Sequence, residues 1–211
     1  MERLIEAVKY CTKCRLHRTR SLAVPGEGRA KLPIMFVGEG PGYDEDIQGR
    51  PFVGRAGQLL TKMIAAIGFD RQDAYITNIV KCRPPGNRVP EEVEAMACLP
   101  YLRYQVFKLK PKIIVCLGAT AARYIISRDI RITRDRGRWV ERKGYYLMPT
   151  YHPAALLRDA SKKKDAWEDF KKIRQKYEEI IGAGQGEIAT EQNNETHSEI
   201  EQGTYPVEQK D

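Results

Sequence analysis

Short apolar runs alternate with amphipathic stretches along residues 1–181, and the two periods separate strands from helices. Pro33–Val37 is a compact apolar run closed by Gly38, and Ala74–Val80 and Lys112–Leu117 are two more of the same kind. Runs of this length, bounded by Pro or Gly, predict buried strands. Helical spacing appears elsewhere. Leu4, Ile5 and Val8 share a face of Glu2–Tyr10, and Leu59, Leu60, Met63, Ile64 and Ile67 share a face of Gly57–Ile67, which Gly68 stops. Pro90 opens a third helix whose first turns hold Glu91, Glu92 and Glu94, where carboxylates favour the positive helix end. Ala119–Ile126 and Asp165–Ile181 complete the helices, and Arg138–Glu141 with Tyr145–Pro149 predict a hairpin around Lys143-Gly144.

Strands alternating with helices predict an α/β fold, a three-layer α/β/α sandwich with a central, mostly parallel four-stranded sheet. Loops leaving the carboxyl ends of such strands build the site. Here they begin at Gly38, Asn78, Gly118 and Pro149. After Ile181 the chain turns to Gly, Gln, Glu, Asn and Thr with little to bury, so the pattern predicts one domain over 1–181 and a disordered acidic tail over 182–211.

Charge sharpens that division. Seven of the 28 acidic groups and one of the 36 basic groups fall in residues 182–211, so residues 1–181 carry 35 basic against 21 acidic groups, a net charge of +14. A body this basic points to a polyanionic partner, nucleic acid first. No run of 18 apolar residues is present, and Met1–Lys9 lacks the apolar core of a signal peptide. The expectation is a cytoplasmic protein with no membrane partner. Five cysteines in a reducing compartment argue against a disulfide framework and for metal binding. Cys11 and Cys14 form a C-x2-C, Cys82 follows the second strand, and Cys98 lies in the helix after Pro90. Four thiolates suit zinc or an iron–sulfur cluster.

Four segments carry candidate chemistry. Gly38-Glu39-Gly40-Pro41-Gly42 follows a strand and brings backbone N–H groups close to a ligand, but no Gly-Lys-Ser/Thr follows, so it is not a P-loop. Gly49-Arg50-Pro51-Phe52-Val53-Gly54 places an aromatic in a polar stretch, either as an anchor to the core or as a stacking platform for a flat ligand. Asn78 ends an apolar strand. It is a turn former or a carboxamide that reads two adjacent edge atoms of a base. Tyr151-His152-Pro153 leads into Ala154-Ala155-Leu156-Leu157-Arg158, and of three histidines His152 is the one at a strand end. Leu156 and Leu157 are core residues or an apolar wedge for a base stack, with Arg158 on a phosphate.

Together and in this order, these segments resemble the iron–sulfur, family 4 uracil-DNA glycosylases, over about residues 1–180. The resemblance rests on C-x2-C, GEGPG followed by acidic residues, GRPFVG-x-AG, TN-x-VKCRPP, a lone downstream cysteine and HPAALLR. It implies a monofunctional glycosylase that flips uracil out of DNA and hydrolyses its N-glycosidic bond. Cys11, Cys14, Cys82 and Cys98 would hold a 4Fe-4S cluster. Gly38, Glu39 and Gly40 would line the uracil pocket, Phe52 would stack on the base, and Asn78 would bond its N3–H and O4 edge. His152 would approach O2, and Glu45 would stand where a thymine methyl would go. Leu156 and Leu157 would fill the vacated stack. Gly40 stands where better-known uracil-DNA glycosylases carry a water-positioning aspartate; Glu39 is a candidate for that role, and Asp44, Glu45 and Asp46 are others. Cys116 matches no ligand position and reads as a core thiol. The resemblance implies a protein acting on uracil-containing DNA. The expected state is a monomer, and the acidic tail, outside the resemblance, either repels DNA from the wrong face or contacts a partner such as a sliding clamp. The competing reading is a non-catalytic module, stapled by zinc on four cysteines, that binds nucleic acid.

Overall fold

Each apolar run forms a strand where its pattern predicts one. The computed structural model describes the backbone of residues 1–201 and the side chains through Gly182. Strands β1 (Ile34–Gly38), β2 (Tyr75–Asn78) and β3 (Ile113–Leu117) are buried at every position. Burial on both faces is the reason they read as continuous apolar runs rather than as alternating ones. Strand β4 (Val140–Arg142) and β5 (Tyr145–Thr150) form the expected hairpin. Lys143 (φ 51°) and Gly144 (φ 78°) both sit in the left-handed region, as a tight two-residue hairpin turn requires.

The sheet order is β2-β1-β3-β5-β4. Four strands are parallel, with Phe36 level with Ile76 and Val115, and Val115 level with Met148. The expected four-stranded sheet therefore needs one correction: β4 pairs antiparallel with β5 and adds a fifth strand at the edge. Hairpin partners pair in the same sheet because their turn leaves no room for another strand between them. The expected class, α/β with helices around a mostly parallel sheet, is the one found.

The helices are α1 (Glu2–Lys9), α2 (Tyr43–Gln48), α3 (Arg55–Ala66), α4 (Glu92–Leu109), α5 (Ala119–Ile125), α6 (Ile132–Asp135), α7 (Pro153–Arg158) and α8 (Lys163–Glu201). On one sheet face Met35, Val37, Ile114 and Cys116 share a core with Leu99 and Leu102 of α4 and Ala121 and Ala122 of α5. The alternate residue Phe36 faces the other way and stacks on Phe170 of α8, ring centroids 6.0 Å apart. Cys116 is fully buried, as a core thiol. Asp169 ties α8 to the end of β5 and to the residue after α6: it accepts from Thr150 Oγ1 at 2.6 Å and from Arg136 Nη2 at 2.7 Å.

By packing, the chain separates into a unit spanning Met1–Ile173 and a second beginning at Arg174. The sheet and both sites described below belong to the first. Side chains beyond Gly182 and all of residues 202–211 lie outside the described part, and with them that much of the tail expected over 182–211. Among the described residues, no helix is long and apolar enough to cross a membrane.

Candidate functional site

The chain passes from β1 outward to β2 and then back to β3 on the other side, so a crevice opens at the carboxyl ends of β1 and β3. A cleft of about 790 Å³ occupies it, lined by Glu39, Gly40, Phe52, Asn78, His152 and Arg158 among others. Residues from four separate loops therefore meet at one place.

Gly38, the last residue of β1, sits between two of the expected groups. A Cβ there would lie 2.4 Å from Asn78 Oδ1 and 2.5 Å from Phe52 Cζ. The Phe52 ring in turn lies 5.5 Å from the His152 ring, centroid to centroid, at an interplanar angle of 32°. The structure thus brings Phe52, Asn78 and His152 together around the end of β1.

Asn78 closes β2 and is 1% exposed, yet its Oδ1 has no hydrogen-bond partner. Beneath it, the Lys81 ammonium donates to the Asn78 carbonyl at 2.7 Å, to Gln105 Oε1 at 2.8 Å and to Thr77 Oγ1 at 2.5 Å. Full burial pushes the Lys81 pKa down to about 8. The backbone that presents Asn78 is pinned, whereas the side-chain oxygen is left facing the cleft.

His152 owes its place to the Pro that follows it. Pro153 takes the first position of α7, where its missing N–H costs nothing, and His152 becomes the cap. Its Nδ1 accepts from Ala154 N at 3.2 Å. The neutral ring therefore carries its proton on Nε2, as a donor. Burial, reinforced by the positive charge of Arg158, pushes the His152 pKa down to about 4.

The acidic residues divide by role. Glu45 Oε1 accepts from Val53 N at 2.8 Å and Gly54 N at 2.9 Å, and its Oε2 from Gly42 N at 3.0 Å. It lines the cleft, but as the brace of two loops. Glu39 Oε2 accepts from Thr120 Oγ1 of α5. Asp46 is 2% exposed and accepts the backbone N–H of Ser21, so it does not reach the cleft. Asp44 does line it.

The paired leucines part company. Leu156 is 2% exposed and packs with Tyr151 and Ala166, so it is a core residue and unavailable as a wedge. Leu157, 43% exposed, points outward from the same short helix. Sequence reasoning missed Asn87, Arg123 and Thr120, all lining the cleft. Asn87 takes a left-handed backbone (φ 56°) after Pro85-Gly86 and accepts from Arg83 Nε at 2.7 Å. The Pro-Pro-Gly-Asn run signalled its turn, but nothing local signalled that the turn faces the cleft.

A second, small cavity is lined by Cys11, Cys14, Cys82 and Cys98 together with Tyr101. Backbone and guanidinium N–H groups point at the sulfurs: Arg20 Nη1 at 2.9 Å from Cys82 Sγ and Lys81 N at 3.3 Å from Cys98 Sγ. Burial raises the pKa of Cys14 and Cys82 and pushes Cys98 up to about 11, and the neighbouring thiols add to the rise. Among the described residues, no three His, Cys, Asp or Glu are drawn closely enough together to hold a single metal ion as they stand. Four thiols facing one cavity, with N–H donors on their sulfurs and Arg20 alongside, fit an anionic thiolate cluster; bound cations would reverse the rise in their pKa values.

Residues 25–171 match the uracil DNA glycosylase superfamily. The chain is 51% identical to a type-4 uracil-DNA glycosylase of Sulfurisphaera tokodaii, over 83% of this chain and 84% of that one. It is 45% identical to that of Archaeoglobus fulgidus, over 82% and 91%. For the type-4 uracil-DNA glycosylase of Thermotoga maritima the identity is 46%, over 82% and 93%. The motifs, the strand-end cleft and these matches agree: the chain belongs to the uracil DNA glycosylase superfamily, among its type-4 members.

Proposed function

We propose that this protein excises uracil from DNA by hydrolysing the N-glycosidic bond, with Phe52, Asn78 and His152 gripping the extruded base. The observation that carries the reading is the orphaned Asn78 Oδ1. A buried acceptor without a partner costs about 1–3 kcal/mol, so it persists where a ligand supplies the donor. The N3–H of uracil is such a donor, and the same carboxamide offers its N–H to O4. Thymine shares that edge and differs by a methyl, which would meet the wall that Glu45 braces.

The target bond is hidden in the stack, so the base must be flipped out at a cost of a few kcal/mol. Arg55, Arg88, Arg123, Arg158 and Lys162 line the cleft and supply positive charge for the phosphates. Leu157 is the wedge of this reading, filling the gap left in the stack. The Leu157→Ala variant is expected to cut excision about 3- to 10-fold from duplex and to leave single-stranded substrate within twofold; an equal loss on both substrates removes the wedge role.

Bond cleavage places negative charge on uracil and positive character on the sugar. His152 Nε2–H is a donor preorganised where charge develops at O2, and with a pKa near 4 it acts as a neutral imidazole. Glu39, whose carboxylate accepts from Thr120 at the cleft wall, is the candidate of this reading for orienting the attacking water. The reading is tested with a uracil-containing oligonucleotide, which should become alkali-labile after incubation while its thymine counterpart does not. An intact uracil strand overturns it.

Cys11, Cys14, Cys82 and Cys98 would hold a 4Fe-4S cluster, whose contribution is structural. It would join the N-terminal segment to α4 and to the residues just after Asn78. Purified protein should contain about four iron atoms and as much inorganic sulfide per chain, and be brown. Stoichiometric zinc in a colourless protein would favour the competing zinc-stapled module. A monomeric state and a sliding-clamp contact through the acidic tail belong to the same proposal. Gel filtration and pull-down of the chain truncated after Ile181 test them.

A further inference from the structure

An aromatic platform recognises a flat base only if the ring stands at the right distance from the groups that read the base edge. Phe52 reaches its place with φ at +53°, a left-handed backbone that residues other than glycine rarely adopt. Something must hold it there, and the segment Pro51–Gly54 is gripped from two sides. The Glu45 carboxylate takes the N–H groups of Val53 and Gly54. On the other side, Arg71 Nη1 donates to the Phe52 carbonyl at 2.9 Å, and its Nη2 to the Pro51 carbonyl at 2.6 Å.

Arg71 lies outside the cleft and touches none of the groups that would meet a base. Its side chain is 14% exposed, and its remaining contacts are Thr61 Oγ1 at 3.0 Å and Glu27 Oε1 at 2.9 Å. Glu27 is itself stitched to the sheet: its N–H donates to the Ile76 carbonyl at 3.0 Å and its carbonyl accepts from Ile76 N at 2.8 Å. Ile76 lies on β2, the strand that ends in Asn78. Partial burial works against the Glu27 carboxylate, but hydrogen bonds from Arg50 and Arg71 outweigh it and hold its pKa below the usual carboxylate value. A continuous polar strut thus runs from the Phe52 backbone through Arg71 and Glu27 to the strand that carries Asn78.

We propose that Arg71, backed by Glu27, is a positioning residue that sets the separation between the Phe52 ring and the Asn78 carboxamide, and with it the grip on a flat single-ring base. This rests on the reading of the cleft as a uracil pocket. A planar fork suits the task because it can serve two adjacent carbonyls and a carboxylate at once, which a lysine ammonium cannot do in the same plane.

The test compares wild type, Arg71→Met, Arg71→Lys and Glu27→Gln in single-turnover excision, in inhibition by free uracil and in binding to abasic-site DNA. In Arg71→Met, excision should slow about 10- to 100-fold. Inhibition by free uracil should weaken about tenfold, while abasic-site DNA binds within twofold of wild type. Added methylguanidinium should restore part of the loss, and Arg71→Lys should fall between the two. A folded Arg71→Met variant with unchanged uracil inhibition overturns the proposal. So does a loss that spreads equally to DNA binding and is indifferent to methylguanidinium. If Arg71→Met does not fold, Glu27→Gln carries the test, with the same direction and a smaller effect; unchanged uracil inhibition there overturns the strut. A crystal structure of the variant that folds separates this proposal from the pocket reading. Phe52 should leave its positive φ whether or not wild type releases uracil, and Phe52 unmoved rejects the strut. Failure of wild type to release uracil rejects the pocket reading instead.

Discussion

Replacing His152 with alanine is expected to slow uracil release by about 10²- to 10³-fold, the usual cost of removing one donor preorganised at a developing oxyanion. Binding to an abasic-site oligonucleotide should stay close to wild type, because in the proposed reading the imidazole acts on the departing base and not on the phosphates. A rate within threefold of wild type would remove His152 from the reaction. The pH dependence follows from the tautomer. Nδ1 accepts from Ala154 N, so protonation there would set two donors face to face and break the cap of α7. With a folded pKa of about 4, the ring stays neutral through the range where an ordinary histidine titrates, and the excision rate should show no limb near pH 6.5. The stability linkage has the same sign. The unfolded chain takes up a proton near pH 6.5 that the folded chain refuses until about pH 4. The contribution of neutral, capped His152 is therefore complete above pH 6.5 and is lost as pH falls toward 4. Urea unfolding at pH 7 and pH 5, on wild type and His152→Ala, isolates it: wild type should lose more stability on acidification than the variant.

The second large effect is at Asn78. In the proposed reading Asn78→Ala removes both hydrogen bonds to the base edge, and with bonds to a group gaining charge worth about 1.5–3 kcal/mol each, excision should fall by roughly 10²- to 10⁴-fold. Stability should not follow activity. In the free protein Asn78 Oδ1 is buried without a partner, so its removal relieves a penalty of about 1–3 kcal/mol against the small cavity left behind. The variant should melt at or near the wild-type temperature while nearly inactive. Loss of stability together with activity would mean that the carboxamide serves the fold, and excision at the wild-type rate would empty it of its role in the pocket. A group kept where it helps binding and burdens folding is what a pocket built for a ligand looks like from the inside.

Much of this arrangement was legible before folding, because it depends on neighbours in the chain. The strands announced themselves as short apolar runs ended by Gly38 and Gly118. Lys143-Gly144 between two apolar segments predicted a hairpin, and both residues take the left-handed backbone that such a turn needs. His152 stood out as the histidine at a strand end, and Pro153 after it makes it the cap of α7. The four cysteines suggested a common centre through residue type alone, and they line one cavity.

What escaped the sequence depends on partners far along the chain or on which side of a helix faces in. Leu156 and Leu157 are chemically identical, and only the packing of α7 against Tyr151 and Ala166 decides that the first is core and the second exposed. Nothing near Glu45 in the chain showed that the loop of Phe52 folds back and offers its carboxylate two N–H groups. Arg71 lay in an ordinary polar stretch, Asp70-Arg71-Gln72-Asp73, with nothing to mark it as the holder of carbonyls at positions 51 and 52.

The amino-acid order by itself determined the strands, the turns and the place of His152 at a strand end, since each follows from backbone preference and the chemistry of adjacent residues. Only the tertiary structure decided the order of the strands in the sheet, the separation of the two leucines and the convergence of Phe52, Asn78 and His152 on one cleft. Those depend on distances between segments many residues apart, which no local propensity encodes and which packing of the sheet and its helices alone fixes.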